Sequence, residues 1–189
     1  MPAITGSLTT IPRTTSNCDI KSFVRAYWTK TSSIDLATMF GEADDYDPSL
    51  RVIKLFEMLS SAVFTKINFD KSVATYRAEY TEESGKYAHV VQFQANANSN
   101  TLVKALFEAT KVCAVTLVLI CEDGTQLTVG VDTDGFELFG YDKKLRITNH
   151  IIDLGQKGGA TVGNNAWTIG GQSEHPPMFY TGAESAIPV

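Results

Sequence analysis

A concentration of positive charge is the first thing this sequence lacks. Its 16 Lys and Arg lie singly or in pairs such as Lys143-Lys144, against 21 Asp and Glu, for a net charge of −5. Proteins that grip nucleic acid gather cations into a patch or stripe, so sequence-specific DNA or RNA recognition is not expected. A mildly acidic surface does suit a wall past which DNA slides. Long apolar runs are missing too. The best of them, Cys113 to Cys121, is about half of the ~20 residues that a membrane-spanning helix needs, so no membrane partner is expected. Met1 to Arg13 shows no apolar stretch behind a basic flank and does not read as a signal peptide.

Cysteine is scarce. Cys18, Cys113 and Cys121 match no zinc or haem spacing. Cys113 and Cys121 bracket an apolar strand, so they share a sheet face but lie far apart along it. The expectation is free thiols in a reducing compartment.

Catalytic signatures are lacking as well. There is no G-x-S-x-G elbow, no P-loop and no G-x-G-x-x-G following a strand. His89, His150 and His175 stand apart, without the HxH or HExxH spacing of a metal site, and read as structural. The acidic group Glu42, Asp44, Asp45 and Asp47 does not follow the order of a calcium loop. Asp132-Thr133-Asp134-Gly135, with Glu137 and Asp142 behind it, comes nearer, but its glycine falls at the fourth position where the loop needs the sixth. No catalytic residue, cofactor or metal is expected. A site built from distant residues around Asp132, Asp134 and His150 is the minor alternative, since such sites leave no local motif.

What is present is an ordinary globular composition, 43% hydrophobic and 20% charged over 189 residues, enough for one domain with its own core. Residues 1–16, rich in Thr and Ser, read as an extended N-terminal arm in which Ile4, Leu8 and Ile11 are apolar enough to lie against something. Residues 17–154 form the expected single α+β domain. Ile20, Phe23, Val24 and Tyr27 fall at helical spacing and predict a helix from Asn17 or Asp19 to Thr29. Ser33 to Phe40 adds one more turn or a short strand. Asp47-Pro48 reads as the start of the strongest helix, Pro48 to Thr65, with a broad stripe through Val52, Leu55, Phe56, Leu59, Val63 and Phe64.

After it the period changes to two. Val73 to Tyr80 and Tyr87 to Gln94 predict a hairpin about Glu82-Glu83-Ser84-Gly85-Lys86, with Tyr87, His89, Val91 and Phe93 on one face. Thr101 to Lys111 reads as an amphipathic helix. Cys113 to Cys121 and Gln126 to Val131 predict a second hairpin through Asp123-Gly124. A turn at Asp134-Gly135 and strands at Phe136 to Phe139 and Leu145 to Leu154 follow, the last with Leu145, Ile147 and Ile151 on one face. Residues 155–189 read as a glycine-rich C-terminal extension. Short turns between strands favour antiparallel pairing. The expected class is therefore α+β: an antiparallel, sandwich-like or barrel-like sheet with a packed helix, preceded by a helical N-terminal part.

The hairpin through Phe93, the helix Thr101 to Lys111 and the hairpin Cys113 to Val131 resemble the sheet-plus-helix plan of tailed-phage neck, ring and tail-tube proteins. The stretch from Gly159-Ala160-Thr161-Val162-Gly163 through Trp167-Thr168-Ile169 to His175-Pro176-Pro177-Met178-Phe179-Tyr180 is similar to small virion proteins of phages infecting Bacteroidetes. The resemblance implies a virion structural protein, assembled in the host cytoplasm as a homo-oligomeric ring or tube with neighbouring virion proteins. A capsid decoration protein or other binding module is the alternative. The residues expected at an interface are Ile4, Leu8, Ile11, Trp167, Phe179 and Tyr180, because apolar and aromatic side chains anchor buried contacts; the alternative is that the arm lies on the chain's own body and that the stretch bearing Trp167, Phe179 and Tyr180 returns to close its own core.

Overall fold

The apolar run is a strand. In the computed structural model, which describes residues 23–95, 108–122, 124–130, 143–153 and 164–189, it forms β7 (Val115–Cys121), buried at every position. A continuous apolar run suits a strand covered on both faces. Leu117 and Leu119 point into one core, and Val118 and Ile120 into another. On one side β7 pairs with β1 (Phe23–Lys30), on the other with β8 (Gln126–Val129), both antiparallel. The sheet extends past β1 to β4 (Thr65–Ile67). Past β8 it reaches β11 (Met178–Tyr180), β3 (Val52–Ile53) and β2 (Tyr46–Asp47), seven strands in all. The β11–β3 pair is parallel.

A second, four-stranded antiparallel sheet has the order β5 (Thr75–Thr81), β6 (Lys86–Ala95), β10 (Asn164–Ser173), β9 (Lys143–Asp153). One core lies between the sheets, around Phe23, Phe93, Leu117, Leu145 and Trp167. The other lies on the far face of the seven-stranded sheet, where Met39, Ile53, Phe56, Phe64 and Ile187 cover Val118 and Ile120.

The class is thus predominantly β, 51% strand against 12% helix among the described residues, in two sheets, and the expected α+β domain with a helical N-terminal part is corrected. The first misread segment is β1. A bulge between Phe23 and Arg25 shifts its alternation by one, so Phe23 and Ala26 enter the inter-sheet core while Tyr27 enters the other. A strand buried on both faces with a bulge shows the same i, i+3, i+4 spacing as a helix. Aromatic and β-branched residues in Phe23–Lys30 favour the strand.

The second is Pro48 to Thr65, which contains no helix among its residues. Asp47 accepts hydrogen bonds from the N–H of Ser49 (2.9 Å) and of Leu50 (3.3 Å) and from the Ser49 hydroxyl (2.6 Å), forming a local turn. Arg51 and Ser60 then take positive φ, 53° and 57°, which a right-handed helix cannot contain. Its apolar residues divide between Ile53, Phe56 and Phe64, turned inward, and Leu55, Leu59 and Val63, left exposed. Burial under the sheet outweighs helix propensity, whose weight is only tenths of a kcal/mol per residue. The one described α-helix of more than a turn is α1 (Leu36–Gly41), capped by Asp35, which accepts from the Thr38 N–H at 3.1 Å. It settles the open reading of Ser33 to Phe40 as a turn of helix.

The two expected hairpins form, and β6 turns His89, Val91 and Phe93 inward as expected. In β9 a register shift opposite Thr168/Ile169 skips Thr148. Leu145 and Ile147 stay on the core side, but Ile151 is displaced to the opposite face and is 52% exposed. The expected helix Thr101 to Lys111 lies outside the described residues except for its end, where 108–110 are helical. The arm 1–16, the turn at Asp134-Gly135 and the strand Phe136 to Phe139 also lie outside them. Residues 164–180, expected in a C-terminal extension, supply β10, inside the four-stranded sheet, and β11, inside the seven-stranded one. Among the described residues no helix is long and apolar enough to cross a membrane.

Gly130 ends β8 at φ +103°, and a Cβ there would collide with the Val115 carbonyl oxygen and approach Leu145 at 3.1 Å. Both the conformation and the space require glycine. Gly130→Ala is expected to lower the unfolding free energy by about 3 kcal/mol, read by urea denaturation; a loss below about 1 kcal/mol would show that the β7–β8 junction is not packed this way.

Candidate functional site

Inside the four-stranded sheet, β5, β6 and β10 bring three polar side chains together. Tyr76 Oη lies 3.0 Å from Nδ1 of His89, and Nε2 of His89 lies 2.8 Å from Ser173 Oγ. Ser173 donates its hydroxyl proton to the His175 carbonyl at 2.6 Å. That fixes the tautomer. Since the Ser173 proton is committed, Nε2–H donates to Ser173 Oγ, leaving Nδ1 to accept from Tyr76. His89 and Ser173 are both buried. Burial pushes the His89 pKa down to about 4, against a smaller upward pull from the His175 carbonyl, so the imidazole is neutral near pH 7. The group has the look of a hydrolytic pair, but the serine proton points away from the histidine and no solvent reaches either. It ties the hairpin to β10.

On β1, between β7 and β4 in the seven-stranded sheet, Tyr27 donates to Glu184 Oε1 at 2.6 Å. Arg25 Nε lies 2.7 Å from the same oxygen, although that nitrogen lacks hydrogen-bond geometry. Burial first, then the Glu184 carboxylate, raise the Tyr27 phenol above its ordinary value. In the acidic loop, the Ser49 hydroxyl above all holds Asp47 below the usual carboxylate range, and the Ser49 and Leu50 N–H groups add to it. That carboxylate caps a turn. Asp132, Asp134, Glu137 and Asp142 lie outside the described residues. His150 sits on β9 opposite Trp167. Among the described residues, no three His, Cys, Asp or Glu side chains are grouped to hold a metal ion. Cys113 is a free, exposed thiol, but Cys121 is disulfide-bonded. This corrects the expectation that all the thiols are free, since pairing depends on approach in the fold and not on spacing.

A groove of about 530 Å³ runs past Trp28, Lys30, Glu108, Lys111 and Cys113. It adjoins an apolar cleft of about 180 Å³ between the sheets, lined by Trp28, Ile67, Ile147 and Trp167.

Of the residues expected at an interface, Ile4, Leu8 and Ile11 lie outside the described residues. Trp167 is 3% exposed and stacks on Phe93, ring centroids 5.5 Å apart. Tyr180 is buried against Phe56 at 5.0 Å. Phe179 differs from both: it is 49% exposed and paired across the sheet with Leu127.

Sequence reasoning missed a different surface, the margins of the four-stranded sheet. Among the described residues no strand pairs with the outer side of β5 or of β9, seven and eleven residues long. The margins of the larger sheet, β2 and β4, are only two and three residues, the usual way of blunting an edge. Ile151 and Ile152, 52% and 43% exposed, lie on β9. The signal was hidden because the bulge that exposes Ile151 leaves no trace in the alternation. Comparison with protein-family models, with curated proteins and with solved structures found no match to this chain.

Proposed function

We propose that this chain is a non-catalytic structural subunit of a tailed-phage particle, assembling with copies of itself and with neighbouring virion proteins into a ring or tube at the neck or tail. What supports the assembly half is that, among the described residues, no strand pairs with the outer side of β5 or of β9, on opposite sides of one sheet; a long strand at the margin of a sheet is a template for another strand. Contacts between different edges of identical subunits are head-to-tail, and such contacts close into rings or run on as tubes. The phage half rests on the resemblance of the glycine-rich stretch around Trp167 to small virion proteins of phages infecting Bacteroidetes. In this reading the protein is made in the host cytoplasm and resides in the virion.

Light scattering across a concentration series tests assembly. Discrete multiples of 20.6 kDa, growing to a ring-sized species, are expected. A single 20.6 kDa species at every concentration would overturn the reading.

The exposed Phe179 beside Leu127 favours a second reading, a decoration protein or binding module that docks as one copy on a larger scaffold. Phe179→Ser separates the two. It should leave the unfolding free energy within about 1 kcal/mol of the parent, since an exposed side chain carries little of the core. Assembly that survives this substitution argues against docking through that surface.

A further inference from the structure

We infer that the cleft between the sheets binds a small amphiphilic anion, with its apolar body held against Trp28 and Trp167 and its carboxylate at Lys66 and Lys71. The inference goes beyond assembly and does not rest on it.

Shape comes first. The cleft of about 180 Å³ is walled by Trp28, Ile67 and Val115 from the seven-stranded sheet and by Ile147, Trp167 and Ile169 from the four-stranded one. Water in such a place finds few hydrogen-bond partners, and an apolar cavity of roughly 150 Å³ takes benzene. The space therefore suits one aromatic ring or a short aliphatic body, whose entry removes apolar surface of both sheets from water. The polar part of the lining, Thr65, Lys66 and Asn68, comes from β4 and the residue after it, and all three are exposed. The cleft thus has a mouth at β4.

Charge selects the head of the ligand. At that mouth a second groove, of about 400 Å³, shares Lys66, Ile67 and Asn68 with the cleft and adds Arg25 and Lys71. Among the described residues its charged lining is three cations and no acid, on a chain whose net charge is −5. Arg25 is already engaged by Glu184 at 2.7 Å. The nearby Asp70 caps its own turn, accepting from the Ser72 N–H at 2.9 Å and from the Ser72 hydroxyl at 2.7 Å. Lys66 and Lys71 are exposed and form no ion pair among the described residues. A groove edged by charge of one sign concentrates ions of the other, and a carboxylate beside an ammonium forms a charge-assisted hydrogen bond. The wider groove past Lys30 also carries cations, but there Glu108 bridges Lys111 at 2.9 Å. An apolar body and an anionic head one short linker apart match the two adjoining spaces. A cationic head would meet its own sign.

Both tryptophans of the sequence line the cleft, so their fluorescence reports its occupant directly. The full chain is titrated with phenylpropionate, phenylpropanol and phenylpropylamine, which share a ring and differ in charge. Phenylpropionate should shift the emission saturably and bind about tenfold more tightly than the amine, with the alcohol between them. Lys66→Glu/Lys71→Glu, confined to exposed side chains, should reverse the order of anion and amine and leave the alcohol unchanged. Ile147→Phe, which fills the cleft, should weaken all three. No saturable change with any of the probes would show that the cleft is a packing void and overturn the site. Anion and amine bound alike, or an order that the lysine variant leaves intact, would overturn the assignment of the head. Binding that Ile147→Phe leaves as tight as in the parent would overturn the placement of the ring between the sheets.

Discussion

Trp167→Ala will lower the unfolding free energy by about 4 kcal/mol, the range for an aromatic truncated to Ala in a packed core. The ring lies at 18° to Phe93, and Phe93 in turn packs edge-on against Phe23 and Phe69, with centroids 5.3 Å away in both cases. Strand β10 is interior to its sheet, so the backbone on either side cannot move inward to fill the space. The adjoining apolar cleft already opens beside Trp167; truncation enlarges it and admits water between the sheets. Trp167→Phe should retain most of the stability, because the stack survives. Urea denaturation with an unchanged slope is the readout. A loss under about 1 kcal/mol would mean that this tryptophan serves some purpose other than holding the sheets together.

Acid should destabilise the protein through His89. Its pKa is about 4 in the folded chain against about 6.5 in the unfolded one, so above pH 6.5 both states leave it neutral and its contribution is complete. Between those values the unfolded chain takes up a proton that the folded one refuses, and stability falls by up to ~1.4 kcal/mol per pH unit. The whole loss is about 3 kcal/mol, reached as pH passes through 4. His89→Gln is expected to be less stable at pH 7, since the Tyr76 and Ser173 hydroxyls lose a matched partner, yet to show a flatter profile between pH 6.5 and 4. Equal slopes in both proteins would place the acid sensitivity in carboxylates instead.

How much of this was legible follows from which burial each segment meets. Strand β6 has a core on one face and solvent on the other, so His89, Val91 and Phe93 announced it by alternation. Strand β7 has a core on each face and announced itself by continuity between Cys113 and Cys121. Strand β1 also has two cores, but its bulge beside Phe23 turned alternation into apparent helical spacing. The segment Pro48 to Thr65 winds over the seven-stranded sheet, and its apolar residues answer to Val118 and Ile120 beneath them, not to one another. No periodicity could express that. Trp167 and Tyr180 drew notice as aromatics in a glycine-rich stretch, yet both turn inward, Trp167 between the sheets and Tyr180 beneath the larger one, because β10 and β11 lie inside the sheets and not beyond them.

The position of β11 constrains the timetable of folding. It lies between β3 and β8, joining residues near 52 to residues near 179, and β1 must find β7 across some ninety intervening positions. Closures of such span are slow, because the loop entropy is spent before the contacts repay it. The larger sheet stays open at β8 until Tyr180 has left the ribosome, and during that interval Leu127 and Ile120 are available to any passing strand. The chain is then most exposed to wrong partners before β11 arrives, and crowded nascent chains would feel this most.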